Sequence, residues 1–326
     1  MHPLIQTALL LVLAIMTADN TRAEGNTFAL IAKNTSDENF IEVWRGCEAA
    51  AQKNQDHCVL LGPEQEASAR LQSQAIERAI NSRQYRAMAI SVTKSSVIAG
   101  AVSLAEIPVI TFDSPFAEPE RSLSLSYIGT DNQQFGRDLA RQAKARHPNG
   151  GSVCLMTAEH DTNLALRVLG VRRELSGNPD FADGQPLRGE GGWHEPERCL
   201  WDSGDSSQRA LAQIRITLAE IKPDVMLSVG SWPLINPQAY RNTLLPFQEE
   251  LRKNKPLMII GVGKILPEYN QLMQEQLLHA LVSIDFFRIG ELTYNNMLSS
   301  INKKPLKAVV YTPNTIITAD KPAAGQ

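Results

Sequence analysis

From Thr27 onward, short apolar runs rich in β-branched residues alternate with longer segments whose apolar positions recur at helical spacing. TFALIA, starting at Thr27, is followed by FIEVWRGCEAAAQ, in which Phe40, Val43, Trp44 and Cys47 share one helical face. CVLLG, from Cys58, precedes a helix over 68–80, AMAISV (87–92) a helix over 95–105, and IPVITF (107–112) closes the series. Strands separated by helices of about 10–15 residues must run parallel, because a parallel return needs a crossover of that length. The expected fold class is therefore α/β, with doubly wound parallel sheets.

A second series begins at LSLSYIGTDN, a short strand ending in Gly129, with Asp131 or Asn132 placed to cap a helix that runs toward Arg146. HPNGG stops that helix, and the pattern resumes: strand 151–157, helix 163–176, strand near 197–201, helix 206–220, strand 224–229, helix about 238–252 and strand 257–261. Two doubly wound units thus lie in tandem, with a boundary near Gly129. The tail, with strands 280–284 and 308–312 around a helix over 286–300, has too few elements for a third unit and must complete sheets already begun.

The first 23 residues differ from the rest. An apolar run from Ala8 to Met16 leads into TADNTRA and ends at the small residue Ala23, the pattern of a secretory signal cleaved after Ala23, although MHPLIQ supplies no Lys or Arg. The run is shorter than the roughly 20 residues a membrane-spanning helix needs. Export makes the four cysteines informative. Cys47 and Cys58, on the first helix and the next strand, are close enough to bridge; Cys154 and Cys199 fall on two strands of the later sheet, and free thiols remain open for both pairs. With 32 Lys plus Arg against 35 Asp plus Glu, and no basic block of five residues, binding of nucleic acid has little electrostatic support and is not expected.

Six segments in order, GCEAAA after the first strand, IPVITFDSP, YIGTDNQQFGRDLA, NLALRVLGVRREL, LWDSGDSSQRALAQI and IKPDVMLSV, resemble the type I periplasmic binding proteins, the group of ribose- and galactose-binding proteins. The resemblance implies two Rossmann-like lobes joined by a hinge of three crossings, near 128–131, 283–286 and 311–314. The lobes would comprise 24–129 plus 286–311, and 130–285 plus 312–326. It places a small-molecule ligand in the cleft between them, which is also where open α/β sheets bind ligands, beyond the carboxyl ends of their strands.

The resemblance assigns candidate contacts. Asp113 ends the strand IPVITF and matches the family aspartate that accepts hydrogen bonds from ligand hydroxyls; a turn-capping role before Ser114-Pro115 is the alternative. Arg167, in RVLG, matches the family's ligand-binding arginine, whose guanidinium can form a bidentate fork, whereas Arg172 and Arg173 read as solvated helix residues. Asp285 matches a polar hinge residue that reaches the ligand, with capping of the next helix as its other role. Phe40 matches an aromatic that stacks on a sugar ring, Asp37 stands where the family prefers Asn, and Trp201 resembles a strand-end aromatic followed by Asp202. Trp44 reads as core and Trp193 as a surface-loop residue. Two departures weaken the sugar assignment: Gly230-Ser231-Trp232 replaces the usual Asn-Asp after VMLSV, leaving Ser231 and Trp232 as contacts, and Gly263 replaces the usual Asp after LMIIG.

The six histidines are scattered, with no two-histidine metal spacing, no Cys-x-x-Cys and no G-x-S-x-G elbow. The expectation is a periplasmic receptor with no catalytic residues, metal or cofactor. It is a monomer that binds a sugar or sugar-like polar solute and delivers it to the permease of an ABC transporter. The alternative is a sensor that presents a ligand, sugar or not, to a membrane histidine kinase or chemoreceptor.

Overall fold

The computed structural model describes residues 25–319 apart from Gln65 and His160, so the expected signal segment lies outside the described residues. The chain forms two sheets. The first contains β1 (Thr27–Ile31), β2 (His57–Leu61), β3 (Met88–Ile90), β4 (Val109–Phe112), β5 (Tyr127–Thr130) and, from the far end of the chain, β12 (Val309–Thr312). Its order is β2-β1-β3-β4-β5-β12, and every pair is parallel. Helices α1 (Glu38–Ala51), α2 (Ala69–Ser82), α3 (Ser95–Val102) and α10 (Phe286–Ile301) accompany it. Its inner strands are buried along nearly their whole length, which is why they read as continuous apolar runs.

The second sheet contains β6 (Gly151–Thr157), β7 (Trp193–His194), β8 (Leu200–Asp202), β9 (Val225–Ser228), β10 (Leu257–Val262), β11 (Ala280–Ile284) and β13 (Asn314–Thr318). The order is β13-β11-β10-β9-β6, with β7 and β8 successively on the outer edge of β6, and β13 alone is antiparallel. Its helices are α4 (Asn132–Arg146), α5 (Thr162–Ser176), α6 (Ser207–Ile216), α7 (Pro237–Leu244), α8 (Gln248–Leu251) and α9 (Glu268–Gln274). The chain passes between the sheets three times, from β5 into α4, from β11 into α10 and from β12 into β13.

Each lobe carries one pair of helices in backbone contact. A Cβ on Gly136 of α4 would overlap the carbonyl of Arg167, and one on Gly170 of α5 the carbonyl of Gln133. Gly46 and Gly290 do the same for α1 and α10. These reciprocal glycines set α5, which carries Arg167, directly against the helix that follows the first crossing.

The structure corrects several readings. The helix expected over 238–252 is broken at Pro246, which cannot donate an N–H; α7 stops at Leu244, a 3-10 turn follows, and α8 is one short turn. Trp193 is 1% exposed, not a surface residue. Arg172 is buried, with Nε and Nη2 each 2.8 Å from a carboxylate oxygen of buried Glu195, a pairing that lets a charge leave water. Both cysteine pairs are disulfides, Cys47–Cys58 and Cys154–Cys199.

Candidate functional site

Loops that leave the carboxyl ends of strands in both sheets meet at the seam between the lobes, where the resemblance places the cleft, and are linked there by contacts from one lobe to the other. Asp113, after β4, sits at φ 57, a left-handed conformation that aspartate tolerates better than most residues. Its carboxylate accepts from the hydroxyls of Ser91 at 2.8 Å and Ser114 at 3.1 Å. Its carbonyl accepts from the Tyr127 hydroxyl at 2.8 Å. Lys33, after β1, brings its ammonium to 3.6 Å from Asp113 Oδ2.

The second lobe answers with the start of α5. Asp161 caps that helix, its Oδ1 accepting from the N–H groups of Asn163 at 2.8 Å and Leu164 at 3.1 Å, while its Oδ2 lies 3.4 Å from Lys33 Nζ on the other lobe. Asn163 reaches across as well, donating through Nδ2 to the Asp113 carbonyl and to Ser114 Oγ. Arg167, one turn on, is braced inside its own lobe: Nε donates to Asn132 Oδ1 at 2.8 Å, Nη1 to the Val229 carbonyl at 3.0 Å, and the guanidinium lies 4.7 Å from the centre of the Phe135 ring. Its Nη2 makes no hydrogen bond among the described residues.

The charges in this cluster are mutually dependent. Burial disfavours the Lys33 ammonium, but Asp113 and Asp161 outweigh it and hold its pKa above 10.5. Burial would raise the Asp161 carboxyl, but Lys33 and the Leu164 N–H more than offset that and hold it below 3.8. Asp37 goes the other way: burial lifts its carboxyl above 3.8, the Asn39 N–H offsetting this only in part. Two cations, Lys33 and Arg167, thus face two carboxylates, Asp113 and Asp161, drawn from both lobes.

The two departures at strand ends have structural consequences. The Trp232 ring lies over Gly230, where a Cβ would run into it, and the indole N–H donates to Asp205 Oδ1 at 2.9 Å. Gly230 therefore leaves room for the Trp232 ring. At Gly263 a Cβ would overlap the side-chain oxygen of Asn39, so the glycine admits a residue of α1 from the opposite lobe. Beside it Lys264 Nζ pairs with Glu42 Oε1 of α1 at 2.7 Å, a further bridge between lobes.

Of the residues singled out in the sequence, Asp113 and Arg167 lie near enough to interact electrostatically, whereas Trp232 is 7% exposed and packs in the core beside Asp205. Asp37 caps α1 by accepting from Asn39 N, and Asp285 is exposed and caps α10 by accepting from Arg288 N. Phe40 is 6% exposed and meets Phe112 edge to face. Trp201 is half-buried, donating to Thr217 Oγ1 beneath the guanidinium of Arg198. Lys33, Ser91, Asp161 and Asn163 were not anticipated. Their one signal was position: Lys33 directly follows the first strand, Ser91 lies at the carboxyl end of AMAISV, and Asp161 and Asn163 stand where strand 151–157 gives way to the next helix.

A family profile described as periplasmic binding protein domain matches residues 28–305. No curated protein matches the chain in sequence. Among solved structures, a glucose-galactose binding protein from Geobacillus stearothermophilus is 18% identical, with 92% of this chain and 100% of that one covered at a TM-score of 0.73. An ABC transporter solute binding protein from Burkholderia graminis, in complex with D-arabinose, is 21% identical over 91% and 96% at 0.73. Another from Actinobacillus succinogenes, with bound D-allose, is 16% identical over 91% and 98% at 0.74.

Proposed function

The chain belongs to the periplasmic binding protein family, and from that premise we propose that it is an exported receptor that takes a sugar or sugar-like polar solute into the cleft and delivers it to the permease of an ABC transporter. The observation that carries the solute class is the near balance of charge: Lys33 and Arg167 offset Asp113 and Asp161, and burial disfavours the charged form of Asp37, the third acid coupled to this cluster. A solute entering such a cluster needs no net charge. It needs hydroxyl groups that donate to carboxylates and accept from the ammonium and guanidinium. The sugars held by the D-arabinose and D-allose complexes of the same fold agree with this chemistry.

Closure follows from where the groups reside. A solute touching Asp113 on one lobe and Arg167 on the other satisfies both only when the lobes are together, so it shifts the population toward that form, which the membrane partner reads. The test is thermal-shift screening of the mature protein against pentoses, hexoses, polyols, amino acids and small amines. A solute at 100 times its Kd stabilises by about 2.7 kcal/mol. A shift with a neutral sugar is the expected result; a shift with an amine or amino acid and none with any sugar overturns the reading.

A further inference from the structure

Lys33 belongs to the first lobe, yet its ammonium is shared between lobes, 3.6 Å from Asp113 Oδ2 on its own side and 3.4 Å from Asp161 Oδ2 opposite. Its side chain is only 17% exposed. The carboxylates have otherwise only neutral donors close at hand, Asp113 the hydroxyls of Ser91 and Ser114, and Asp161 the amide groups of Asn163 and Leu164. Arg167 acts on both from a greater distance, since its Nε and Nη1 are turned to Asn132 and Val229. Lys33 is thus the cation held between the two acids, in the position an amino group of a solute would take.

We propose that Lys33 is a built-in cation that ties the two lobes and sets the selectivity of the cleft, admitting uncharged polyhydroxyl solutes and turning away their amino counterparts. The selectivity half rests on the reading that a polar solute enters here; the tie does not. An amino sugar brings a second ammonium beside Lys33, while the two carboxylates that flank Lys33 are already engaged with it and Asp37, the third acid nearby, is buried, which disfavours its charged form, so it is repelled. Lys33→Met keeps the length and apolar stem of the side chain while removing the charge. The change leaves two carboxylates from opposite lobes without their shared partner, and an incoming ammonium then takes its place.

Two measurements on the full mature chain test this. In the first, calorimetric titration compares D-galactose with D-galactosamine and D-glucose with D-glucosamine. Wild type should prefer the neutral member of a pair by tenfold or more, and Lys33→Met should reverse the preference. An unchanged ratio in the variant overturns the selectivity. In the second, small-angle scattering without added solute compares wild type, Lys33→Met and Asp161→Asn, the last retaining an N-capping side chain for α5. Both variants should have a larger radius of gyration than wild type; identical scattering from all three overturns the tie. If wild type binds none of the sugars, the proposed solute class fails, and the scattering alone still decides the tie.

Discussion

Asn163 Nδ2, in the first turn of α5, lies 3.2 Å from the carbonyl oxygen of Asp113 and donates to it across the cleft, with Ser114 Oγ 2.9 Å away on the same loop. Neither partner belongs to the lobe that carries Asn163. These bonds exist only while the lobes are apposed, so they contribute to closure and not to the folding of either sheet. At about 0.5–1.5 kcal/mol for each hydrogen bond, Asn163→Ala should weaken solute binding about tenfold by calorimetry, with little change in unfolding midpoint. A large drop in the midpoint would show that Asn163 supports its own lobe instead.

Asp113 and Arg167 should respond differently to substitution, although the proposed function has both meet the solute. At φ 57, Asp113 occupies a conformation that Asn shares and Ala does not. Asp113→Asn should therefore weaken binding by about ten- to a hundredfold while leaving stability nearly unchanged. Arg167 is also a strut, tied to Asn132, Val229 and Phe135. Arg167→Ala should abolish binding and also lower stability by about 2 kcal/mol, through lost hydrogen bonds and packing. Denaturant titration of the two variants separates the roles, and equal stability losses would contradict the distinction.

Gly263 offers a test of the cleft's geometry. A methyl group there meets the side-chain oxygen of Asn39 and the ring of Phe286. Gly263→Ala should raise the Kd several-fold, and the paired substitution Gly263→Ala with Asn39→Ala should recover most of the loss. Such recovery is the non-additivity expected of two residues in contact. Strictly additive effects would mean that the glycine matters for some reason other than admitting Asn39.

Which features were legible in the sequence follows from how far apart the cooperating residues lie. The strand-helix alternation is local, and it gave both parallel sheets and the unusual tail. Missing from it was β13, since NTIIT is a short edge strand, half exposed and separated from β12 only by Pro313. Asp113 and Arg167 stood out as candidates because each matches a family pattern in its own neighbourhood. Lys33 meets Asp161 across 128 positions, and Asn163 meets Ser114 across 49, so no local pattern announces either. Arg172 was misread for the same reason: nothing near it in the helix foretells that Glu195 returns to it after the excursion beyond α5.

The pKa shifts imply a pH dependence whose sign can be worked out. Asp161 is held below 3.8 in the folded state, so its contribution is present above that pH and lost as pH falls through the folded value. Lys33, held above 10.5, contributes fully below that pH and loses its contribution as pH rises through its folded value. Their tie is therefore constant across neutral pH. Asp37, raised above 3.8, takes up its proton more readily when folded, so it subtracts stability as pH rises through that window. Asp37→Asn retains an N-cap side chain and should stabilise the protein at pH 7, an advantage that shrinks toward pH 3. Asp161→Asn should flatten the acid limb instead. Urea midpoints measured from pH 3 to 7 check both, and parallel curves for all three proteins would refute the assignment.

The two disulfides should differ in worth because the loops they close differ in length. Cys154–Cys199 spans 45 residues and Cys47–Cys58 spans 11. Restricting the unfolded chain over those spans corresponds to about 4 and about 3 kcal/mol. The longer bridge also fastens β6 to the segment leading into β8, next to the excursion that carries Glu195 back to Arg172. Removing it loosens a buried ion pair as well as a loop. The double variant Cys154→Ala with Cys199→Ala should therefore lose more stability in urea than Cys47→Ala with Cys58→Ala. The reverse ranking would show that packing of α1 against β2, and not chain entropy, governs what these bridges contribute.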